Sequence, residues 1–381
     1  EMKITVVGAD IVGLCAAWAL TRRGASVTVV EKGPIPNPTA ASADHHRMIR
    51  RAYPRNPGYG ARMSAAYTAW DRLFADLTAD GAGPDTRFIK RTGVLTLSER
   101  PGDYGAETRR LFREQGTPHE ALEGPDAIAA HLPHLDLDGL ASNALMAVLA
   151  EGGALMANRI LIALADWLRH AGAEIHELSP VTAIDRERAT VTLASGAEIA
   201  GDLVIASAGA GMPGLLPGVL PVEHRRTLIL YARPPEDLAE AWENAPCWSG
   251  LGGEDDLWGI APIEGIAPKL GAGALGRNDP DDMDRTATPA ETARILSAYR
   301  GRLRGIERFT PLFAQANYWM LAPEEQFQLR REGSLLATSA DSGHGFKFGA
   351  LSGEDLADAA LGREPIDRIA DRMAARSPTA I

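Results

Sequence analysis

Ile4-Thr5-Val6-Val7-Gly8-Ala9-Asp10-Ile11-Val12-Gly13 is the stretch on which the reading of this 381-residue chain turns. A β-branched run ends at Gly8, and Leu14, Ala17 and Leu20 then recur at helical spacing up to Arg23. The segment therefore reads as strand, turn and helix. Gly24 closes the helix, and Ser26-Val27-Thr28-Val29-Val30 reads as a second strand ending at Glu31. A helix between two such strands makes them parallel, with a right-handed crossover. Gly8 and Gly13 are the first and third glycines of a G-x-G-x-x-G turn, with an acid about 20 residues further on. Such a turn uses Gly8 for the tight bend and Gly13 to bring helix and strand together without a Cβ. The amides opening the helix, at Ile11 and Val12, face a pyrophosphate, and the Glu31 carboxylate takes ribose hydroxyls. The reading is a dinucleotide site.

The middle glycine is replaced by Asp10, which adds a Cβ and a negative charge where a diphosphate approaches. Two unit charges ~4 Å apart repel by about 1 kcal/mol in water and about 4 at an effective dielectric of 20, one to three decades of affinity. Asp10 could instead turn aside and cap the helix. A weakened site, a rearranged one and an engineered substitution all remain open at this level.

Outward from this unit, Met63, Tyr67, Trp70, Phe74 and Leu77 form one apolar face of a helix within 54–83. A strand over Gly93–Leu97 and a polar helix carrying Leu111 and Phe112 follow. Helical spacing returns over Ala154–Arg169. Strand signals at Ala173–His176, Val181–Asp185, Thr190–Leu193 and Leu203–Ala206 are expected to extend the first domain. Further on come a strand at Thr227–Tyr231, a helix opened by the capping box Thr288-Pro289-Ala290-Glu291, a strand at Ser334–Ser339 and a helix over Leu351–Leu361.

At roughly 100–200 residues per domain the length suggests two domains. Lys+Arg 39 against Asp+Glu 50 leaves −11, without a basic run, which argues against nucleic acid and anionic membrane as partners. Hydrophobic content of 45% and charged content of 23% are those of a globular protein. Cys15 and Cys247 form neither a disulfide framework nor a zinc site, which fits a reducing compartment. The apolar window Ala144–Leu168 is interrupted by Glu151, Asn158, Arg159 and Asp166, short of the roughly 20 apolar residues of a membrane span. With no export signal before Ile4, a cytoplasmic setting is expected.

Three further stretches carry a resemblance. Ala41–Tyr53, with Arg47 and Arg50, resembles the arginine-bearing segment after the second strand of monomeric sarcosine oxidase. Ser342-Gly343-His344-Gly345-Phe346-Lys347-Phe348 resembles that family's C-terminal signature. Trp258-Gly259-Ile260-Ala261-Pro262, with Lys269-Leu270-Gly271 beyond, is similar to its strand-and-lysine segment. Over nearly the whole chain the sequence thus resembles the D-amino acid oxidase-like flavoprotein superfamily, in its sarcosine oxidase, N-methyltryptophan oxidase and glycine oxidase branch. The resemblance implies an α/β plus α+β architecture, in which a Rossmann-like FAD domain with a parallel sheet (1–85, 142–216, 322–381) is interleaved with a mostly antiparallel substrate domain (86–141, 217–321). It implies FAD contacts at Gly8, Asp10, Ile11, Val12, Gly13, Glu31, Lys32, Ser42, Arg47, Val181, Gly209, Gly343, Gly345, Phe346 and Lys347. Arg50 and Lys347 would fix a substrate carboxylate as fork and point charge. Lys269 matches the lysine implicated in oxygen activation, where fixed positive charge stabilises forming superoxide. The helix after Gly349 would face the negative charge that develops on the flavin.

Departures from the pattern matter as well. The family's flavin-linking cysteine corresponds to Asn317, so the FAD is expected to be non-covalent. A family histidine falls at Ala43, two active-site tyrosines correspond to Trp258 and Trp319, and a histidine becomes Gly273. His45 and His46 have no counterpart. These features imply oxidation of the C–N bond of a carboxylate-bearing secondary or cyclic amino acid to an imine, with O₂ reduced to H₂O₂, by a monomer or weak homo-oligomer. The alternatives are a flavin dehydrogenase or tailoring enzyme on the same fold, and a non-catalytic relative whose FAD binding Asp10 has weakened.

Overall fold

The computed structural model describes residues 1–79, 81–138, 140, 144–279 and 284–376. The expected domain boundary at 141/142 and the end at 381 lie outside these residues. β1 (Lys3–Val7), α1 (Ile11–Arg22) and β2 (Ser26–Val30) form as the opening stretch dictates. β1 lies between β2 and the strand Leu203–Ala206, parallel to both. Glu174–His176 extends the sheet beyond β2, and Leu335–Ser339 then Gln328–Glu332 extend it on the other side, for six strands. Only the outermost pair, Gln328–Glu332 with Leu335–Ser339, is antiparallel.

All four strand signals between 173 and 206 form strands, and two of them lie outside this sheet. Val181–Asp185 and Thr190–Leu193 pair with Glu198–Ala200 in a separate three-stranded antiparallel sheet. Tight turns explain the difference: Ala189 has φ +49° and Gly196 φ +85°, so each strand folds back on its neighbour before it can reach β2.

α1 is buried along nearly its whole length because a second helix, Gly349–Ala360, packs against it. Gly353 permits the contact, since a Cβ there would sit 2.4 Å from the Cys15 carbonyl carbon. α2 (Pro57–Leu77) buries Met63, Tyr67, Trp70 and Phe74 in the same core, as its spacing requires. Arg62 of α2 reaches Asp355 at 2.7 Å, with both side chains about 5% exposed.

The second large sheet is antiparallel except where Cys247–Leu251 runs beside Val94–Ser98. Its long strands Glu223–Arg233 and Thr310–Leu321 pair along their length, and Lys269–Ala272 lies on the other side of the first of them. The capping box at Thr288 and Glu291 forms in full. A short sheet built from β3 (Arg47–Arg50), Ile89–Lys90 and Gly152–Leu155 lies apart from both. β3 thereby carries both arginines to the cleft.

Candidate active site

A cleft of about 530 Å³ opens between the start of α1, β3, the strands of the antiparallel sheet and the segment Thr338–Lys347. Its wall includes Asp10, Ile11, Val12, Ser42, Arg47, Arg50, Gly209, Trp258, Trp319, Gly343, Gly345, Phe346 and Lys347. Residues 300 apart in sequence meet here. Of the other expected residues, Gly8 lies in the turn before α1 and Gly13 in the first turn of α1, Glu31 and Lys269 are buried outside the wall, Lys32 is exposed, and Val181 lies on the separate meander.

The turn is a built cradle. Gly8 has φ +101°, and a Cβ on it would meet Ser207 O at 2.5 Å. A Cβ on Gly13 would meet Gly8 O at 1.9 Å. Gly13→Ala therefore has to break the turn, and purified Gly13→Ala protein is expected to lose over nine-tenths of its visible flavin absorbance relative to protein absorbance. The Glu31 carboxylate is already engaged by the amides of Ala9 and Gly33, each at 2.9 Å, and by Asn37 Nδ2 at 2.8 Å. It locks the turn to the end of β2.

Asp10 occupies the N-cap position but makes no capping bond. Its carboxylate accepts a short hydrogen bond from Ser42 Oγ, and Ser42 Oγ in turn accepts from the Ile11 amide at 3.3 Å. The turn is thus rearranged, with Asp10 drawn to the 41–47 loop and the cradle intact. Cradle, helix start and cleft volume together fit a dinucleotide, and Asp10 at the start of α1 carries a charge that opposes it.

Arg50 and Lys347 are the cations at the other end of the cleft. Arg50 Nη1 donates to Tyr104 OH at 2.7 Å and, more closely, to Ala52 O. Lys347 Nζ donates to His344 O at 3.2 Å. Arg50 lies 4.6 Å and Lys347 5.8 Å from the centroid of the Tyr53 ring, so the two cations share one aromatic face. Neither has a carboxylate within ion-pair distance among the described residues. Burial, and then the charge of Arg50, lowers the Lys347 ammonium well below the ordinary lysine value.

His344 is neutral, brought down to about 3 by burial and then by Lys347. Its Nε2 donates to Glu325 O at 2.9 Å, which leaves Nδ1 to accept from Tyr53 OH at 3.1 Å. Trp258 lies across Gly271, where a Cβ would meet the indole at 2.2 Å. Trp319 donates from Nε1 to Thr227 Oγ1 at 3.2 Å. Asn317 lines the cleft, whereas both cysteines are buried away from it.

Lys269 differs from the picture the resemblance implies. Its Nζ donates to Asp44 Oδ2 at 2.9 Å and to His46 O at 2.6 Å, and the side chain is 1% exposed. Asp44 also takes Arg47 Nη1 at 2.7 Å and Tyr231 OH at 2.6 Å. Burial alone would raise the Asp44 carboxyl, but Lys269, Arg47 and the Tyr231 hydrogen bond hold it well below the usual range. Lys269 is lowered to about 8, chiefly by burial. His46 is buried with neither ring nitrogen bonded and is held neutral near 2 by burial and then Lys269. His45 is exposed.

Sequence reasoning missed Asp44, Tyr53, Tyr104 and Asp341. Asp44 and Tyr53 lie inside the quoted arginine segment, and an acid there is the signal that could have paired it with Lys269. Tyr104 has no local signal.

A profile of the family described as "FAD dependent oxidoreductase" matches residues 3–359. The chain belongs to this family. It is 26% identical over 377 residues to N-methyl-L-tryptophan oxidase of Citrobacter koseri, covering 96% of each chain. Among solved structures it resembles fructosyl peptide oxidase from Aspergillus nidulans, with a TM-score of 0.80 at 18% identity over 100% of this chain and 94% of that one. It also resembles glycine oxidase from Bacillus cereus, with a TM-score of 0.78 at 17% identity over 99% of both. This member of the FAD-dependent oxidoreductases thus shares its fold with amine and amino acid oxidases. No helix among its described residues is long and apolar enough to cross a membrane.

Proposed function

We propose that this flavoenzyme oxidises the C–N bond of a carboxylate-bearing secondary or cyclic amine, using non-covalent FAD held at the start of α1. The observation that carries the reading is half-buried Arg50 beside buried Lys347, neither with a carboxylate within ion-pair distance among the described residues. Two basic groups side by side in one pocket disfavour each other's charge until an anion completes them. A substrate carboxylate would take the guanidinium fork of Arg50 and restore the charge of Lys347, since an adjacent anion raises its proton affinity. Trp258 and Trp319 would then wall the amine and exclude water, and the Tyr53–His344 pair fixes the floor beneath both cations. Bound FAD would accept the hydride equivalent from the substrate carbon. The fold of the relatives and the name of the N-methyl-L-tryptophan oxidases support this substrate class.

The same placement favours a second reading of the electron acceptor. Lys269 faces Asp44, not the cleft, so its charge is largely spent on a buried partner. In the oxidase reading O₂ is the acceptor; in the dehydrogenase reading reduced protein reacts slowly with air. Peroxide formed per amine consumed separates them.

The first test is the visible spectrum, repeated on the supernatant after acid precipitation. Flavin bands that pass entirely into the supernatant are expected. Colour left in the pellet would overturn the non-covalent assignment, and protein that stays colourless with added FAD would overturn the cofactor.

A further inference from the structure

The antiparallel sheet turns one face to the cleft, and the strand Leu257–Ile260 brings Trp258 to it, with Asp256 two residues earlier on the same wall. Both side chains lie over glycines of the neighbouring chain segment. Trp258 covers Gly271, its register partner, and Asp256 covers Gly273, where a Cβ would meet Asp256 Oδ2 at 2.1 Å. The Gly273 amide donates to the Asp256 carbonyl at 2.9 Å and ties this residue, at φ +51°, to the sheet. Among the described residues the Asp256 carboxylate accepts no hydrogen bond and has no cation within ion-pair distance. Arg225, on the same wall, lies over Gly276 and donates to Asn278 Oδ1 at 3.2 Å instead. Arg50 shares the cleft and feels the charge of Asp256 from beyond ion-pair distance.

Water solvates this acid while the cleft is open. A ligand that fills the cleft removes that water, and a carboxylate then left without a donor opposes binding. A cation on the ligand reverses the sign. The indole beside the acid favours the same charge, because an aromatic face attracts cations and tryptophan does so best.

We propose that Asp256 and Trp258 form a second subsite of the substrate cleft, which takes a basic group, ammonium or guanidinium, on the side chain of the molecule whose carboxylate meets Arg50 and Lys347. The inference rests on that carboxylate reading and narrows its substrate class to amino acids with a basic side chain. Gly273 is what makes the subsite possible, since any side chain there would displace the Asp256 carboxylate.

The test is calorimetric titration of the flavin-loaded protein with 6-aminohexanoate, hexanoate and adipate, and with the shorter set 4-aminobutanoate, butanoate and succinate. None of these carries an α-amine, so binding is read without turnover. In at least one set the amine-bearing acid is expected to bind about tenfold or more tighter than the plain acid, the contribution of a charge-assisted bond, with the diacid weakest. Asp256→Asn keeps the shape and tolerates the left-handed backbone, and should bring amine-bearing and plain acids to within about twofold of each other. Asp256→Lys should reverse the order in favour of the diacid. Should strain at φ +51° keep that variant from folding, Asp256→Asn decides. An amine preference that persists in Asp256→Asn overturns the subsite, as does equal or tighter binding of the plain acid or diacid in both sets by the unaltered protein; either result leaves the carboxylate reading in place. Failure of every acid to bind overturns that reading and the subsite with it.

Discussion

Replacing Arg50 with Met lowers kcat/KM for the best carboxylate-bearing amine by roughly a thousandfold, at unchanged flavin content. The size follows from what the side chain is asked to do. Removing one partner of a desolvated, hydrogen-bonded charge pair costs about 2–5 kcal/mol, and about 4 kcal/mol corresponds to a thousandfold. Lys347 softens the loss, because the neighbour that depressed its ammonium is gone and it regains basicity. Arg50→Lys recovers only part, since a point charge does not reproduce a two-pronged fork. The carboxamide of the same substrate supplies the internal control: it should start slower and lose far less from the substitution. Equal losses for acid and amide would mean that Arg50 holds Tyr53 and Tyr104 in place and does not meet the substrate.

Asp44→Ala is expected to cost about 3–5 kcal/mol of stability, the range for stranding a buried charge. The substitution leaves Lys269, 1% exposed, with only the His46 carbonyl, and removes the acceptor of Tyr231 OH. It also removes the ion pair of Arg47, leaving that guanidinium only the carbonyls of the 41–47 loop, which carries Ser42 against Asp10. Calorimetry should show a melting temperature several degrees lower, at roughly 1–2 °C per kcal/mol for a chain of this size. Asp44→Ala combined with Lys269→Met should recover half or more of the loss, because the pair is removed together. Additive losses would show that the two side chains stabilise the protein independently. The sign with pH is also fixed. Asp44 is depressed in the folded protein, so its contribution is present above the ordinary carboxylate range near 3.8 and fades as the solution is acidified below it. The acid limb of a stability profile should therefore flatten in Asp44→Ala.

The β-α-β opening was legible because its signal is local: two β-branched runs, a glycine turn and helical spacing lie within about 30 residues, and nothing distant overrides them. The segments of the meander at 181–200 were legible as strands, but not the sheet they join. A strand's own residues state that it is extended and say nothing of which neighbour it pairs with, which here is settled by two tight turns. In the cleft, Arg50, Lys347, Trp258 and Trp319, each singled out in the sequence, all reach the wall. Lys269 was identified as a residue but not as a contact, because its orientation depends on Asp44, a side chain 225 positions away. Tyr104 and Asp341 complete the wall through tertiary packing alone. The shape of the substrate pocket belongs to this second category, being assembled from several separated segments.

The strand order of the parallel sheet bears on how the protein is made. β1 is synthesised first, yet its neighbour at 203–206 and that strand's neighbour at 335–339 follow some 200 and 330 residues later. At about 5–20 residues per second, the nascent chain holds the glycine turn open for roughly 20–60 s before the helix 349–360 can cover α1. Through that interval Ile11 and Cys15 of α1 lack the backbone of Gly349 and Gly353 that finally packs on them. A ribosome stalled near residue 320 would display a chain with the glycine turn but without Thr338–Lys347, the last segment of the cleft wall. Holdase chaperones would be expected to engage it there, and cofactor capture to come as the closing event of biogenesis.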